Sequence, residues 1–456
     1  MFKQPKRRLL KQVSGDGRRD EDSMNMADAL LFSACQDYAE RAPLRFHTPA
    51  HGGKLSFDPA ALDLTELPDL DSLYESGGPI AQAEARMANF YGAGSCSFSA
   101  GGSTLCVLAM LAPFAGRAVL FDRNAHRSAV SACVLFDIAP LWLWPRDGRI
   151  APDALAAALG AHPEVAAAFV TSPDYQGRIS DIAALSRVCH ARGVSLLADG
   201  AHGAHLPLCG NNLAPLALGA DVVCHSAHKT LPAMTPAAML LHRGASARED
   251  AKRWMGALGS SSPSYAALVS LDLCRAWMER GGREAFAFLA AQVRAVRAFA
   301  ASAGFAAPDE PADPARLALD AASAGQSGLA VAAHLRARGI QPEHADERCV
   351  ILIPNWMHTA ADFARLAQAL GTLPRARAPV PPAEPPSQPE TVMPPRQAAL
   401  AVGESVDVSA AVGRAAAEIA APCPPGIPVL IPGELIGRVQ AELLQKAGIF
   451  RVKVVK

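Results

Sequence analysis

The sequence predicts an α/β fold in which helices cover both faces of a mainly parallel sheet. From about residue 43 to about residue 290, apolar runs typical of buried strands alternate with stretches typical of helices. Because parallel strands need crossover connections, which are usually helical, this alternation favours parallel pairing. Sheets of this kind bind ligands at the carboxyl ends of their strands, so polar residues at those ends are the candidates for a functional site.

The individual elements follow from local patterns in chain order. A first helix is predicted over residues 28–41, because Asp28 is a favourable N-cap and Pro43 disfavours continuation. The other predicted helices are 80–90, 103–111, 125–136, 181–192 and a long stretch from 264 to about 301. The predicted strands are 118–121, 165–171, 194–199, 221–226 and 238–241.

These elements divide the chain into five predicted segments. We expect a flexible leader at 1–27, a large cofactor-binding domain at 28–300 and a smaller α/β portion at 301–373. The proline-rich residues 374–396 disfavour regular structure and predict a linker. Residues 397–456 are expected to form a short C-terminal unit.

Composition favours small-molecule chemistry. The 456 residues carry 43 Lys+Arg and 43 Asp+Glu, which argues against binding to nucleic acid or an anionic membrane. No apolar run is long enough to cross a bilayer, and the basic opening lacks the apolar region of a signal peptide. The ten cysteines show neither disulfide-framework nor metal-ligand spacing, so we expect no metal site and a cytoplasmic location.

A lysine and an acid follow two of the predicted strands. Asp199 ends the strand 194–199, and Lys229 follows the strand 221–226 by three residues. Pyridoxal phosphate enzymes use such a pair, because a lysine carries the cofactor as a Schiff base and an acid keeps its ring nitrogen protonated. Burial beside the cofactor would favour the neutral, nucleophilic amine. The pair therefore predicts pyridoxal 5'-phosphate as the cofactor.

A glycine turn before a predicted helix could hold the phosphate of that cofactor. Gly102, Ser103 and Thr104 open the helix, where free backbone amides and hydroxyls suit a dianion. The same turn is also compatible with an ordinary helix cap. Ser226 and His228, on either side of Lys229, would add hydrogen-bond donors to this cradle.

The histidines are individually less specific. His126 opens a helix directly after a strand, where its imidazole could lie against an aromatic ring. His202 follows Asp199 closely and is equally compatible with a cofactor contact and a structural role. His47 and His51 are spaced like a helical metal pair, but Pro49 and two glycines make a helix there unfavourable, so we expect a loop near the crevice.

Taken together, the motifs resemble those of the ornithine/lysine/arginine decarboxylase family, specifically its short bacterial members without a receiver-like wing domain. The resemblance covers almost the whole chain from about residue 28. It is carried by seven ordered segments: 46–53, 63–67 with Asp71 and Leu73, 123–128, 199–203, 226–229, 262–265 with 270–272, and 424–428 with 432–434.

The resemblance implies a fold type I pyridoxal phosphate enzyme that forms a homodimer or larger assembly with active sites at the subunit interface. By position, Lys229 is the Schiff-base lysine, Asp199 pairs with the ring nitrogen and His126 stacks on the ring. The phosphate is held by Ser103, Thr104, Ser226 and His228, and the Ser262 region reaches the neighbouring subunit's cofactor.

Three positions depart from the family pattern. Ala50 stands where glycine is usual, Gly200 where short members usually have glutamate, and Cys423 where tyrosine is common. The glutamate missing at position 200 could have lined the site or merely supported it.

The resemblance implies decarboxylation of a basic amino acid, with arginine ahead of lysine and ornithine, feeding polyamine metabolism. Lys229 or His202 would return a proton to Cα. An acid should pair with the distal cation of the substrate, and the candidates are Asp71, Glu343, Asp346 and Glu434. Two alternatives stay open: another fold type I activity such as an aminotransferase or lyase, and a non-catalytic cofactor-binding paralogue.

Overall fold

The computed structural model describes residues 30–41, 43–55, 57–245, 247–306, 311–374 and 388–456. By internal contacts the chain divides into two units, Met1–Pro43 and Leu44–Lys456. The first contains helix α1 (Leu30–Glu40), which confirms the body of the first predicted helix. The predicted leader 1–27 and Asp28 lie outside the described residues. All other elements belong to the second unit.

Among the residues that the structure describes, the strands of the second unit form four separate sheets. They are β1 (Leu44–Phe46), β2 (Ser95–Ser99), β3 (Ala118–Asp122), β4 (Ala139–Leu143), β5 (Ala167–Thr171), β6 (Ser195–Asp199), β7 (Val222–His225), β8 (Ala238–His242), β9 (Leu317–Asp320), β10 (Ile340–Pro342), β11 (His344–Ala345), β12 (Cys349–Leu352), β13 (Gly403–Asp407) and β14 (Arg451–Val455). All five predicted strands are confirmed to within about three residues at each end, whereas the other strands, including β2 and β4, were not predicted.

The central sheet has seven strands in the order β2-β8-β7-β6-β5-β3-β4. Strands β4, β3, β5, β6 and β7 pair in parallel, and β8 runs antiparallel to both of its neighbours. In the register of β5 and β6, Thr171 lies opposite Asp199, and Asp199 lies opposite Cys224 of β7. The carboxyl ends of these strands therefore meet along one edge, as the alternation of the sequence predicts.

Helices cover both faces of this sheet. The helices of the second unit are α2 (Pro79–Tyr91), α3 (Gly102–Leu111), α4 (Arg127–Phe136), α5 (Pro152–Ala161), α6 (Ile182–His190), α7 (Leu206–Cys209), α8 (Ala227–Thr230), α9 (Ala247–Leu258), α10 (Tyr265–Trp277), α11 (Arg283–Ser302), α12 (Gly328–Arg336), α13 (Ala360–Gly371), α14 (Pro395–Leu400) and α15 (Arg438–Lys446). The helices predicted within residues 80–192 are confirmed as α2, α3, α4 and α6.

Successive strand residues point to opposite hydrophobic cores. Phe121 and Leu197 pack with residues of α3, α4 and α9, whereas Leu120 and Leu196 pack with residues of α2, α6 and α10. This two-residue period is the expected geometry of a strand buried on both faces. It explains why the predicted strands are continuous apolar runs.

The long helix predicted from 264 to about 301 is interrupted. A π-helical turn, Met278–Gly282, separates α10 from α11. It contains Gly281 and Gly282, and glycine is a poor helix former. By length and composition the run Tyr265–Ser302 would be apolar enough to cross a membrane. Its apolar side chains, including Leu271, Phe286 and Val293, pack in the larger core.

Smaller sheets complete the unit. Strands β11, β12 and β9, which follow the main sheet in the chain, form an antiparallel sheet. Strands β13 and β14 pair antiparallel and enclose a separate small core that includes Leu430 and Ile436. Much of the predicted linker at 374–396 falls outside the described residues, and its end already belongs to α14.

Candidate active site

One pocket at the carboxyl edge of the central sheet collects the four predicted catalytic residues, Lys229, Asp199, His126 and His202, together with Ser103. It is lined by Ser103, Asn124, His126, Thr171, Asp174, Tyr175, Asp199, Ala201, His202, Lys229, Pro425 and Ile427. Strand β6 ends at Asp199, and the short helix α8 after β7 carries Lys229. Asp199 and Lys229 thus meet because β6 and β7 are neighbours in the sheet.

Lys229 is hydrogen-bonded to His202, with 3.0 Å between Nζ and Nε2. Burial lowers the pKa of the Lys229 amine, and the positive charge of Arg316 lowers it further, while Asp199 and Glu343 oppose the change. A lowered pKa increases the fraction of neutral amine at a given pH. The setting is therefore that of a nucleophilic lysine.

The Asp199 carboxylate is buried and held from one side. Its Oδ1 accepts hydrogen bonds from the Ala201 amide at 3.0 Å and from the Cys224 thiol at 3.4 Å. The side chain lines the pocket, so the carboxylate is available to a cationic or protonated group inside it. A cationic or protonated group in the pocket would be the partner that a buried carboxylate requires.

The proposed phosphate cradle is only partly assembled from the predicted residues. Gly102 begins the ten-residue helix α3, and the Ser226 hydroxyl lies 2.8 Å from the Ser103 hydroxyl. His228 Nδ1 instead lies 3.0 Å from the carbonyl oxygen of Ala237, and the ring does not line the pocket. Thr104 is exposed on the outer side of α3 and does not line the pocket either.

His126 is fixed at the pocket by a helix cap and by the C-terminal unit. Its Nδ1 accepts a hydrogen bond from the Ser128 amide at 3.2 Å, which makes it the N-cap of α4. A Cβ atom at Gly426 would lie 2.7 Å from His126 Nε2, so glycine is required at this close approach. Burial lowers the pKa of His126, which favours the neutral ring.

Of the four acids considered for substrate binding, the structure places Glu343 beside the pocket. Its Oε1 accepts a hydrogen bond from the pocket residue Tyr175 at 3.2 Å, and its Oε2 accepts one from the Thr48 amide at 2.9 Å. The segment 47–53 is a loop, as predicted, and its Ala50 amide donates to the carbonyl oxygen of His228.

The other three acids organise the backbone away from the pocket. Asp71 accepts hydrogen bonds from the amides of Ser72, Gly77 and Gly78. Asp346 closes a turn by accepting from the amides of Arg348 and Cys349.

Glu434 forms a buried ion pair with Arg123 at 3.2 Å. Sequence reasoning could not separate these acids from Glu343, because the partners of Glu343 and Glu434 lie in distant segments of the chain.

The Gly200 departure has a steric explanation. A Cβ atom at this position would lie 2.8 Å from Cε1 of His225 and 2.9 Å from its Nδ1. The imidazole is held there because its Nδ1 lies 2.6 Å from the carbonyl oxygen of Gly200. A side chain at position 200 would therefore point at His225, which does not line the pocket. A carboxylate at position 200 would therefore not line the pocket of this chain.

The other two departures lie at the edges of the site. Ala50 is fully buried, and Cys423 is exposed two residues before the pocket residue Pro425. Cys423 is close enough to Tyr175 to contribute to the raised pKa of the phenol, which burial dominates.

Several pocket residues were missed by the sequence reasoning. Thr171 and Asp174 lie at and just past the end of β5, so their position at a strand end was an available signal. The Thr171 hydroxyl is buried without a hydrogen-bond partner among the described residues. Asn124 lies in the segment 123–128 that carries the family resemblance, although it was not proposed as a site residue, and Tyr175 lies in a loop that no sequence pattern distinguishes. Arg316, buried behind His202, belongs to a distant segment with no recognisable motif.

The donor set fits pyridoxal phosphate. The pocket offers a lysine amine, a buried carboxylate and a serine hydroxyl beside the start of α3, together with the unpaired Thr171 hydroxyl. The imidazole of His126 provides a flat surface in the same pocket. An amine for the aldehyde, an acid for the ring nitrogen and donors for the phosphate are the groups that this cofactor needs.

Comparisons with known proteins agree with the predicted family. The family model of the Orn/Lys/Arg decarboxylase major domain matches residues 29–307, and that of the C-terminal domain matches residues 384–450. An arginine decarboxylase of Halalkalibacterium halodurans is 29% identical over 89% of this chain and 90% of its own length. An uncharacterized protein of Bacillus subtilis, YaaO, is 31% identical over 91% of this chain and 93% of its own length.

Solved structures show the same fold. Lysine decarboxylase A from Pseudomonas aeruginosa superposes with a TM-score of 0.71 at 20% identity, covering 96% of this chain and 84% of the other. The constitutive lysine decarboxylase of E. coli gives a TM-score of 0.70 at 16% identity, covering 98% and 88%. These similarities place the fold among the fold type I decarboxylases.

Proposed function

Because this chain belongs to the Orn/Lys/Arg decarboxylase family, we propose that it decarboxylates a basic amino acid with pyridoxal phosphate as its cofactor. The observation that carries the proposal is the convergence of Lys229 and Asp199 in one pocket, with Glu343 beside it. Arginine is the first expected substrate, followed by lysine and ornithine. The product would be an amine that feeds polyamine metabolism.

The roles of the pocket residues follow from their chemistry. Lys229 would bind the aldehyde of the cofactor, and Asp199 would keep a proton on its ring nitrogen. Ser103 and Ser226, with the amides at the start of α3, would hold the phosphate. His126 would lie against the ring. The contacts of His228 and the exposure of Thr104 give these two predicted ligands less support.

When bound, the cofactor ring accepts the electron pair that remains on Cα as carbon dioxide leaves. Asp199 would stabilise that charge through the proton it maintains. Lys229 Nζ and His202 Nε2 lie 3.0 Å apart, and either can deliver the proton that Cα then takes up. Both positions are set by the neighbouring strands β6 and β7, so the proton source is rigidly placed.

Glu343 is proposed to bind the distal cation of the substrate. Tyr175 and the Thr48 amide hold both of its oxygens, which fixes the direction of the carboxylate. A guanidinium can pair with a carboxylate through two hydrogen bonds, whereas an ammonium pairs as a point charge. The arginine decarboxylases among the relatives support arginine as the first choice.

The pocket supports a decarboxylase better than an aminotransferase. Aminotransferases of this fold normally hold the substrate carboxylate with an arginine. Among the described residues that line the pocket there is no arginine, and Arg316 lies behind His202. A carboxylate that is not clamped by a strong ion pair is free to leave as carbon dioxide.

We further propose a homodimer or larger assembly with interfacial active sites, in which the Ser262 region reaches the neighbouring cofactor. Ser260 and Ser262 are exposed in the single chain, which leaves them accessible to a second copy. A cytoplasmic location is proposed because all ten cysteines are free thiols, the state that a reducing compartment maintains.

The decisive experiment combines spectroscopy with an activity assay on purified protein. We expect the visible absorbance of lysine-bound cofactor and carbon dioxide release from arginine, lysine or ornithine. Lys229→Ala should lose both. Absorbance without release from any of the three substrates would favour the non-catalytic paralogue, and formation of a keto acid would favour an aminotransferase. Full activity in Lys229→Ala would refute the assignment of that lysine.

The substrate role of Glu343 is tested by Glu343→Gln, with Asp346→Asn as the matched control. Loss of a charge-assisted hydrogen bond should raise KM for arginine by about tenfold to a hundredfold. Asp346 lies three residues away but closes a turn, so its variant should leave KM near the wild-type value. Equal KM values in the two variants would contradict the proposed role of Glu343.

A further inference from the structure

A row of three hydrogen-bonded side chains extends from the pocket into the protein interior. Lys229 Nζ lies 3.0 Å from His202 Nε2, and His202 Nδ1 lies 3.1 Å from Arg316 Nη2. Arg316 is 1% exposed and does not line the pocket. Burying a charge is costly, and cofactor binding alone gives no reason to bury a cation at this place. The hydrogen bond between Arg316 and His202 provides such a reason.

The hydrogen-bonding capacity of each group fixes the arrangement of protons. A guanidinium stays protonated and can only donate, so His202 Nδ1 must accept from Arg316. A neutral imidazole carries one N–H, which must then be on Nε2. This N–H faces Lys229 Nζ, and only the lone pair of a neutral amine can accept it. An ammonium at Lys229 would place two donors face to face.

We propose that Arg316 is a positioning residue that fixes the tautomer of His202, so that His202 holds Lys229 as the neutral amine that binds the cofactor. This inference rests on the proposed function, because it concerns the readiness of the same lysine. Arg316 acts here through His202 and contacts neither substrate nor cofactor. The device prepares the lysine before the cofactor arrives.

The surrounding structure holds Arg316 in place. Gly177, in the loop after β5, lacks the Cβ atom that would lie 2.7 Å from Arg316 Cγ. Arg297 donates to the carbonyl oxygens of Asp313 and Arg316, at 2.8 and 2.7 Å. Asp313 forms an ion pair with Arg316 at 4.0 Å and a hydrogen bond with His205 at 2.8 Å. Arg316 is therefore held both at its backbone carbonyl and at its guanidinium.

The charged groups around the row act in both directions. Burial, then the charges of Lys229 and Arg316, lower the pKa of His202 well below its usual value, with smaller contributions from His126 and His228. This keeps the imidazole neutral, as the proposed tautomer requires. Lys229 also faces Asp199 and Glu343, whose negative charges favour the ammonium, and the neutral thiol of Cys224. The contact from His202 counteracts the two carboxylates.

The test measures the protonation of Lys229 in the full chain after the cofactor has been removed. Trace labelling with acetic anhydride across the pH range modifies only neutral amines, and peptide mass spectrometry reads the extent at Lys229. We expect Arg316→Met and His202→Phe to slow labelling at neutral pH by about tenfold, the effect of one pKa unit. Arg316→Lys keeps a cationic donor and should restore most of the wild-type rate.

Arg297→Met is the matched control. It loosens the same segment while leaving the guanidinium in contact with His202, so its labelling profile should match the wild type. If Arg316→Met does not fold, His202→Phe and Arg316→Lys decide in the same way. Wild-type profiles in Arg316→Met or His202→Phe would overturn the inference. Absence of lysine-bound cofactor absorbance in the wild-type protein would instead refute the proposed function.

Discussion

Adding a single methyl group at Gly200 should destabilise the fold because His225 occupies the space that a side chain needs. The new Cβ atom would lie 2.8 and 2.9 Å from two ring atoms of His225 and 3.2 Å from the carbonyl oxygen of Cys224. Favourable contacts between such atoms are about 3.5–4.0 Å long. The ring cannot turn away freely, because it is hydrogen-bonded to Gly200 and lies against Tyr91 at 5.5 Å.

The magnitude follows from two costs. Overpacking of a rigid core costs about 1–3 kcal/mol. Displacing the ring would also break its hydrogen bond to the Gly200 carbonyl, which contributes about 1 kcal/mol. We therefore expect Gly200→Ala to lower the free energy of unfolding by about 2–4 kcal/mol. Gly200→Glu should be worse, since it adds a charge at a buried position.

The assay is urea unfolding of Gly200→Ala, His225→Ala and the double variant. Removing the ring opens the space, so the double variant should be more stable than additivity predicts by about 2 kcal/mol. Gly160→Ala is the matched control, because Gly160 lies in α5 and its Cβ atom would meet nothing within 4 Å. That change should stabilise the protein by about 0.5–1 kcal/mol. Equal effects of Gly200→Ala and Gly160→Ala would refute the steric argument.

Two further predictions concern buried acids. Glu434→Gln should cost about 3–5 kcal/mol, because it leaves the buried Arg123 charge unpaired, while KM stays unchanged; a raised KM would return Glu434 to the substrate site. Burial raises the pKa of Asp122 to about 7, so the folded state retains a proton that the unfolded chain loses above about pH 4. Stability should therefore fall as the pH rises from about 4 to about 7. The urea midpoint of Asp122→Asn should lack this part of the pH dependence, and equal pH dependence of the midpoints in the wild type and the variant would contradict the prediction.

The apolar runs predicted the central sheet well because its strands are buried on both faces. Leu196 and Leu197 point to opposite cores, so every residue of such a strand is apolar and the run is conspicuous. Strand β4 was missed because it lies at the edge of the sheet, where its residues are partly exposed and the pattern is weaker. The break at Met278–Gly282 was not predicted, although the segment contains two glycines, which are poor helix formers.

In the pocket, too, some residues could be predicted from their local sequence, and others only from the fold. Lys229 and Asp199 could be found from the sequence because each follows its own strand within a few residues. The four acids proposed for the substrate looked alike in sequence, and only the fold shows that Glu343 contacts Tyr175 while Glu434 pairs with Arg123. Partners of this kind are set by packing between remote segments.

The sequence by itself determined the fold class, the family and the pair of residues that points to the cofactor, because these depend on local apolar runs and short motifs. Tertiary structure decided which groups surround that pair. Arg316 reaches His202 across 114 positions of sequence, and His225 fills the space beside Gly200. Such contacts depend on how strands and loops pack in space, and hydrogen-bond geometry and atomic volume, rather than residue spacing, select the residues that make them.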